Sequence, residues 1–199
     1  MSWNTYVSKV QKQLHPDMRL SSKSKEAMNA LVNHIIDKIV EISNKLVKAR
    51  QIKVRRPTAV HTITTSLIYY LPETLADQTI MAATKANCKY NQSIMAATTE
   101  YNVRKRMTIE KRAGLVFSVA RIERAMTDRS SLLRKSIPAA IYLTATIEYL
   151  VAEVLSYTVE LVFNRKKRII TPNDIFDSIH NDEGLDSLFS NKLKNFIKK

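Results

Sequence analysis

The chain has 199 residues, of which 45% are hydrophobic and 25% are charged, and its formal net charge is +14. This composition supports an ordinary globular core and gives no reason to expect a disordered chain. Only two glycines and five prolines are present, too few for the tight turns of hairpins, barrels and phosphate-binding loops, so helices joined by short polar loops are predicted.

Cysteine content and hydropathy indicate the compartment. Cys88 is the only cysteine, which excludes an internal disulfide and a cysteine-based zinc cluster and fits a reducing environment. The first ten residues lack the apolar core of a signal peptide, and no stretch reaches the roughly 18 uncharged apolar residues that span a bilayer. We therefore expect a soluble protein that is not secreted by the usual route.

The first half of the chain is predicted to be a helical module over residues 1–90. Its helices are expected at Tyr6–Leu14, Ser22–Arg50, Thr58–Leu71, and Pro72 to about Tyr90. The second of these helices is long, about 40 Å, and its apolar residues recur every three and four positions, which makes one continuous stripe. Because no single small partner covers such a stripe, a second long helix is expected to pack against it.

Residues 91–108 are predicted to be a connector, and residues 109–199 a second helical module. This module is expected to contain a short helix over Phe117–Ala125, a long helix over Pro138–Asn164, a loop over Arg165–Ile170, and helices over Pro172–Ile179 and Asp182–Phe189. In both modules the long helix runs into a basic loop closed by a proline, Pro57 or Pro172, and the two copies lie about 115 positions apart. The chain is thus predicted to be all-α and to repeat one plan twice.

Positive charge is spread evenly over the two modules. Residues 1–100 contain 14 basic and 7 acidic residues, and residues 101–199 contain 18 and 11. An even excess of positive charge indicates two modules that face one polyanion, most often nucleic acid. An anionic membrane surface is the alternative, and it is weaker because the basic residues follow long helices instead of lining one amphipathic face. We therefore expect no membrane partner.

Several blocks of sequence carry a resemblance to known families. YVSKVQKQLHPD (Tyr6–Asp17), LSSK (Leu20–Lys23), MNALVN (Met28–Asn33) and YYLPETLADQTIMAATKA (Tyr69–Ala86) resemble histone 2B. RAGLVF (Arg112–Phe117), AIYLTATIEYLVAE (Ala140–Glu153), RII (Arg168–Ile170) and NDE (Asn181–Glu183) resemble histone 2A. Taken in order, the blocks resemble the fused histone doublets of the Marseillevirus group of giant DNA viruses. The resemblance implies two histone folds in tandem that pair as an intramolecular handshake pseudo-dimer.

Candidate DNA-contacting residues lie mainly in loops that follow or precede long helices. Crossing two such modules places the first loop of one beside the second loop of the other, so each end of the pair gains a basic patch. A solvated surface loop is the alternative for any one basic run, but equivalent placement in both modules favours contact with phosphate or the minor groove. For the two threonines, helix capping is an equal and compatible alternative. The predicted DNA-binding set is Arg55, Arg56, Thr58, Arg112, Arg121, Arg134, Lys135, Lys167, Arg168 and Thr171.

Four carboxylates match part of the acidic surface on which histone 2A receives basic peptides. They are Glu148, Glu153, Asp182 and Glu183. Ordinary surface charge explains them equally well. They sit on separate helices with no nucleophile or nucleotide loop nearby in sequence, so the third possibility, an all-helical enzyme acting on nucleic acid, is not favoured.

Metal and cofactor chemistry has no support in the sequence. The four histidines show no metal-ligand spacing, so neither a metal nor a cofactor is predicted. The aromatic residues Tyr142, Tyr149 and Phe163 fall at helical spacing and are predicted to belong to the core between the paired long helices, not to a base-stacking surface.

The resemblance implies an architectural function. It implies that the chain packages viral duplex DNA into nucleosome-like particles through contacts that do not read the bases, with a second doublet resembling histones 3 and 4 as its partner. The expected location is a viral factory in the host cytoplasm or nucleus, and the virion. The alternative is a histone-fold transcription regulator of the CCAAT-binding or repressor type, which binds a defined site.

Overall fold

A computed structural model describes residues 1–49, 60–99, 107–130 and 136–189, and most of these residues are helical. The helices are α1 Asn4–Leu14, α2 Ser22–Ala49, α3 Val60–Tyr70, α4 Glu73–Thr99, α5 Ile109–Ala113, α6 Val119–Arg129, α7 Ile137–Asn164 and α8 Pro172–His180, followed by α9 over residues 183–189. Two short strands, β1 Arg19–Leu20 and β2 Ile169–Ile170, pair in parallel. The predicted helical character is confirmed.

Some boundaries differ from the sequence prediction. Helix α4 continues past Tyr90 to Thr99, so the first nine residues of the predicted connector are helical, because that segment contains neither glycine nor proline to end the helix. Helix α5 and the two strands were not predicted, since elements of two to five residues are too short to show a period. The module boundaries and the pairing of the modules stay predictions.

Side-chain caps fix several helix starts. The backbone N–H of Ser24 donates to Ser21 Oγ at 3.1 Å, which satisfies a donor in the first turn of α2. Thr171 and Asp174 cap the start of α8 reciprocally, as in a capping box. At the other end of a helix, Gly114 adopts a left-handed conformation with φ 73° and closes α5, a backbone shape that glycine takes at no steric cost.

The first compact unit comprises residues 1–35 and 149–199. In its described part, α1, β1 and the start of α2 come together with the end of α7, β2, α8 and α9. Trp3, Met28, Leu150, Ile175 and Phe189 are among its buried side chains.

The second compact unit comprises residues 36–148. It contains the end of α2, α3 to α6 and the start of α7, with Ile39, Leu67, Phe117, Ile122 and Ile141 buried. Both long helices therefore contribute to both units. A helix of 28 residues is about 42 Å long, so its two ends pack with different neighbours.

Most residues of the predicted apolar stripes are buried, but Tyr149, which was also assigned to the core, is only half-buried. Tyr142 is buried as predicted, but the assignment of Phe163 to the core is wrong, because 73% of its surface is exposed. Phe163 lies in the last turn of α7, immediately after the buried Val162 and before the basic loop. Helical spacing shows which face of α7 carries Phe163. It does not show whether another part of the chain packs over that face at the last turn of the helix.

Helix α7 is, by length and composition alone, the one described helix apolar enough to cross a membrane. However, 72% of its apolar window is buried within the protein, as in the central helix of a folded core. Glu148, Glu153 and Glu160 also interrupt it, which a helix packed in a folded protein tolerates more readily than one in lipid.

Candidate nucleic-acid interface

The first compact unit joins two loops that are distant in sequence. Strand β1 lies in the loop between α1 and α2, and β2 lies in the loop between α7 and α8, with Arg19 opposite Ile169 and Leu20 opposite Ile170. The Arg19 N–H donates to the Arg168 carbonyl at 3.0 Å, and the Ser24 hydroxyl donates to the Ile170 carbonyl at 2.7 Å. These bonds fix the relative position of the two loops.

Each of the paired strands has one buried and one exposed residue. Leu20 and Ile170 are buried, whereas Arg19 and Ile169 are exposed. Because successive residues of a strand point to opposite faces, the buried pair anchors the loops while Arg19 and Ile169 meet solvent. Arg168, immediately before β2, is also exposed. Arg19 and Arg168 are thereby held on neighbouring stretches of backbone.

Exposed cations surround this strand pair. Arg19, Lys23, Lys166, Lys167 and Arg168 are all exposed. Lys167 Nζ lies 4.0 Å from a carboxylate oxygen of Asp174, but in the described ranges the other four form no ion pair with a carboxylate. We call Arg19, Lys23, Lys166, Lys167 and Arg168 the paired-loop cations. Their charge is available to an anion from outside the protein.

A buried carboxylate holds the second of the two loops in place. Asp174 is 1% exposed at its side chain, and its two oxygens contact Arg165 Nη1 at 2.9 Å and the Thr171 backbone N–H at 2.9 Å. The Thr171 hydroxyl donates to Asp174 at 2.6 Å. Burial alone would raise the pKa of Asp174, but the bonds from Thr171 and Arg165 outweigh it and lower the pKa below its usual value. The predicted capping role of Thr171 is confirmed.

We expect Asp174→Asn to lower the free energy of unfolding by about 1–3 kcal/mol at pH 7, because charge-assisted bonds to a buried group are lost. Because its pKa is lowered in the folded state, ionised Asp174 stabilises the protein at pH values above its unfolded-state pKa of about 3.9. This stabilisation is lost as the pH falls through the folded-state pKa. The difference between parent and variant should therefore shrink in urea titrations as the pH falls below about 4. Asp128→Asn, at an exposed position, is the control; an equal loss in both variants would contradict this role.

The cleft beside the second loop combines cations with an exposed aromatic ring. It has a volume of about 680 Å³ and is lined by Asp17, Met18, Phe163, Asn164, Lys166, Lys167 and Arg168. Lys166 adopts a left-handed backbone with φ 55°, and its N–H donates to the Phe163 carbonyl at 2.9 Å. The chain thus turns sharply at the end of α7, which sets Phe163 beside the basic residues.

A second basic cleft lies in the same unit and was missed by the sequence analysis. It has a volume of about 410 Å³ and is lined by Asn4, Thr5, Ser8, Lys9, Lys12 and Lys25. Thr5, Ser8, Lys9 and Lys12 follow the helical spacing of α1, so this polar face could have been found from the sequence. It adds positive charge to the unit that holds the paired-loop cations.

The predicted DNA-binding residues have different outcomes. Arg55, Arg56, Thr58, Arg134 and Lys135 lie outside the described residues. The structure places Lys167, Arg168 and Thr171 together in the second loop, while Arg112 in α5 and Arg121 in α6 are partly exposed in the second unit. DNA contact by each of them stays a prediction.

Arg19 and Lys23 were absent from the predicted set. They flank the capping serine of α2, just as Arg134 and Lys135 precede the other long helix. This equivalence of position was a signal available in the sequence.

The four predicted acidic residues do not share one environment. Glu148 accepts hydrogen bonds from the backbone N–H groups of Val116 and Phe117 at 2.7 and 3.0 Å; burial raises its pKa, and these two bonds oppose the rise. Its carboxylate is therefore engaged within the protein. Glu153, in the first unit, raises the pKa of Tyr157, an effect that burial and Asp182 reinforce. Peptide docking on Glu148, Glu153, Asp182 and Glu183 stays a prediction.

Potential metal ligands do not cluster in the described part of the chain. Within residues 1–49, 60–99, 107–130 and 136–189, no three His, Cys, Asp or Glu side chains are placed to hold an ion. His180 instead contacts Asp186 at 3.0 Å and stacks on Phe176.

Comparison with known proteins shows a similarity to a histone. No protein-family model matches this chain. The chain is similar to histone 2A.z of Dictyostelium discoideum, with 39% identity over 99 residues, which covers 46% of this chain and 69% of the relative. The matched segment is about as long as one predicted module.

Proposed function

Since this chain belongs to the histone family, we propose that it packages duplex DNA without reading its sequence, as the fused equivalent of a histone 2B and 2A pair. The observation that carries this proposal is the pairing of β1 with β2, which sets the loop before α2 beside the loop after α7. These loops belong to different predicted modules, and each brings exposed arginine or lysine residues to one place.

The chemistry of the paired loops fits phosphate better than bases. Arg19 and Arg168 are exposed and lie on adjacent, hydrogen-bonded backbone, so two guanidinium groups can meet one stretch of sugar-phosphate backbone. Phosphate contacts position a protein on DNA but carry no sequence information. Helices α2 and α8 each begin shortly after a paired strand, and the N–H groups of helix N-termini favour anions. Together these groups support binding that is independent of sequence.

The finer part of the proposal is that both modules act as one viral doublet. The order of the blocks that resemble histones 2B and 2A supports it. The length of the match to the relative, about that of one predicted module, also supports it. We propose that the partner is a second doublet resembling histones 3 and 4, and that the complex lies in viral factories and the virion. The acidic residues Glu148, Glu153, Asp182 and Glu183 are proposed to receive basic peptides. In this role the chain is structural and catalyses no reaction.

Nuclease protection tests the proposal. The chain is mixed with a second doublet of the histone 3 and 4 type, or with an ordinary histone 3 and 4 tetramer as a stand-in, and with duplexes of unrelated sequence. Histone octamers wrap about 147 bp around four pairs, so each pair accounts for about 35 bp. We expect discrete protected lengths on every duplex. Protection of one defined sequence would favour a transcription regulator instead, and no protection would contradict packaging.

A further inference from the structure

An exposed aromatic side chain stands at the edge of the paired-loop cations. Phe163 exposes 73% of its surface and lines the same cleft as Lys166, Lys167 and Arg168. Ile169, on the exposed side of β2, is 55% exposed. A single exposed apolar residue is ordinary. A large ring beside three consecutive cations, however, forms a mixed apolar and basic patch that is typical of a binding surface.

We propose that Phe163 is an apolar DNA contact whose ring enters the minor groove and wedges against a base step where the paired-loop cations hold the flanking phosphates. This inference rests on the proposed function and deepens it, because it adds a contact that is not electrostatic. Apolar side chains, phenylalanine among them, partly unstack base steps in this way in other minor-groove proteins, and the unstacking bends the duplex.

The local backbone keeps the ring beside the cations. The Lys166 N–H donates to the Phe163 carbonyl at 2.9 Å, and the Lys167 N–H donates to the Val162 carbonyl at 3.2 Å. Arg165 anchors the same turn to Asp174 and Asp177 at 2.9 and 2.8 Å. The turn is therefore tied on both sides, so that a duplex held by Arg168 lies within reach of a ring whose position is already set.

The positive charge of the cleft favours DNA over a protein as its occupant. Among the residues that line this cleft, Lys166, Lys167 and Arg168 are cationic, and Asp17 is the single carboxylate. Duplex DNA is a polyanion whose opened base steps offer apolar faces to an inserted ring, so it complements both the ring and the charge. A partner protein would have to supply acidic groups around an apolar pocket, and that occupant is an outcome of the test.

The test compares the salt dependence of DNA binding in matched variants of the full chain. Phe163→Ala should weaken binding about tenfold at each salt concentration, a loss typical of removing one aromatic contact to a base, without changing the slope of log affinity against log salt. Arg168→Ala should lower that slope by about 0.9, because one phosphate contact is lost. Phe163→Trp should bind at least as well as the parent. Met81→Ala removes an apolar side chain of similar exposure, 72%, from α4, and should bind like the parent.

A duplex carrying 2-aminopurine reports unstacking directly. Its fluorescence should rise when the parent binds and should rise much less with Phe163→Ala. A Phe163→Ala protein that matches the parent in affinity and fluorescence overturns the inference while leaving the proposed function intact. The inference is also overturned if this variant binds DNA normally but no longer assembles with the partner doublet, because the ring then contacts protein. If the parent itself binds no DNA, the proposed function fails, which the parent's own titration shows separately.

Discussion

An aspartate at Ile39 or at Leu150 is expected to abolish cooperative folding. Ile39 is 1% exposed in α2, and Leu150 is fully buried in α7, so either carboxylate would lie unpaired among apolar side chains. An unpaired buried charge costs several kcal/mol, and a domain of this size is stable by only about 5–15 kcal/mol in total. We expect Ile39→Asp and Leu150→Asp each to remove the sharp transition in thermal unfolding followed by circular dichroism.

The exposed Ile68 provides the matched control for this prediction. Ile68 is 60% exposed at the end of α3, so Ile68→Asp makes the same chemical change without burying a charge, and it should melt like the parent. Because Ile39 and Leu150 lie in different compact units, the two variants test the core of each unit separately. If both variants unfold at the parent's temperature, the assignment of the apolar stripes to the core is wrong.

Replacing Arg55, Arg56 and Arg168 together by alanine is expected to weaken DNA binding strongly and on every sequence. If each arginine neutralises one phosphate, the slope of log affinity against log salt should fall by about 0.9 per contact, up to about 2.7 for the triple variant. The loss should be uniform because phosphate contacts carry no base information. The measurement is a salt titration on several unrelated duplexes of equal length.

The described part of the chain allows a sharper version of the same experiment. Arg19→Ala with Arg168→Ala removes both guanidinium groups at the β1–β2 pair and should lower the slope by about 1.8. Lys45→Ala is the control, because Lys45 pairs with Glu41 on the exposed face of α2 at 2.7 Å, away from either loop in sequence. An unchanged slope in the double variant would show that the paired loops do not face DNA. A loss confined to one sequence would favour a site-specific regulator.

The sequence by itself determined both long helices and most of the shorter ones, and it showed where the main runs of positive charge lie. Apolar residues at spacings of three and four identified both long helices, because that period puts them on one side of a helix whatever lies opposite. The predicted helix starts at Ser22 and Pro172 agree with the structure, since capping and proline geometry act within a few residues. The basic loop around Arg168 was also predicted from the sequence, because a run of cations is costly to bury and therefore lies in solvent.

Only the tertiary structure decided which atoms of these elements meet; that a loop of one module lies beside a loop of the other was implied by the resemblance and not by a local pattern. The bond between the Arg19 N–H and the Arg168 carbonyl joins residues about 150 positions apart, and no local period encodes such a pairing. Glu148 appeared in the sequence as a surface carboxylate, yet its oxygen accepts two backbone N–H groups from Val116 and Phe117. Phe163 had the spacing of a core residue and is exposed. In each case the outcome depends on which neighbour covers a side chain, and that is fixed by packing across the chain, not by the residues next to it.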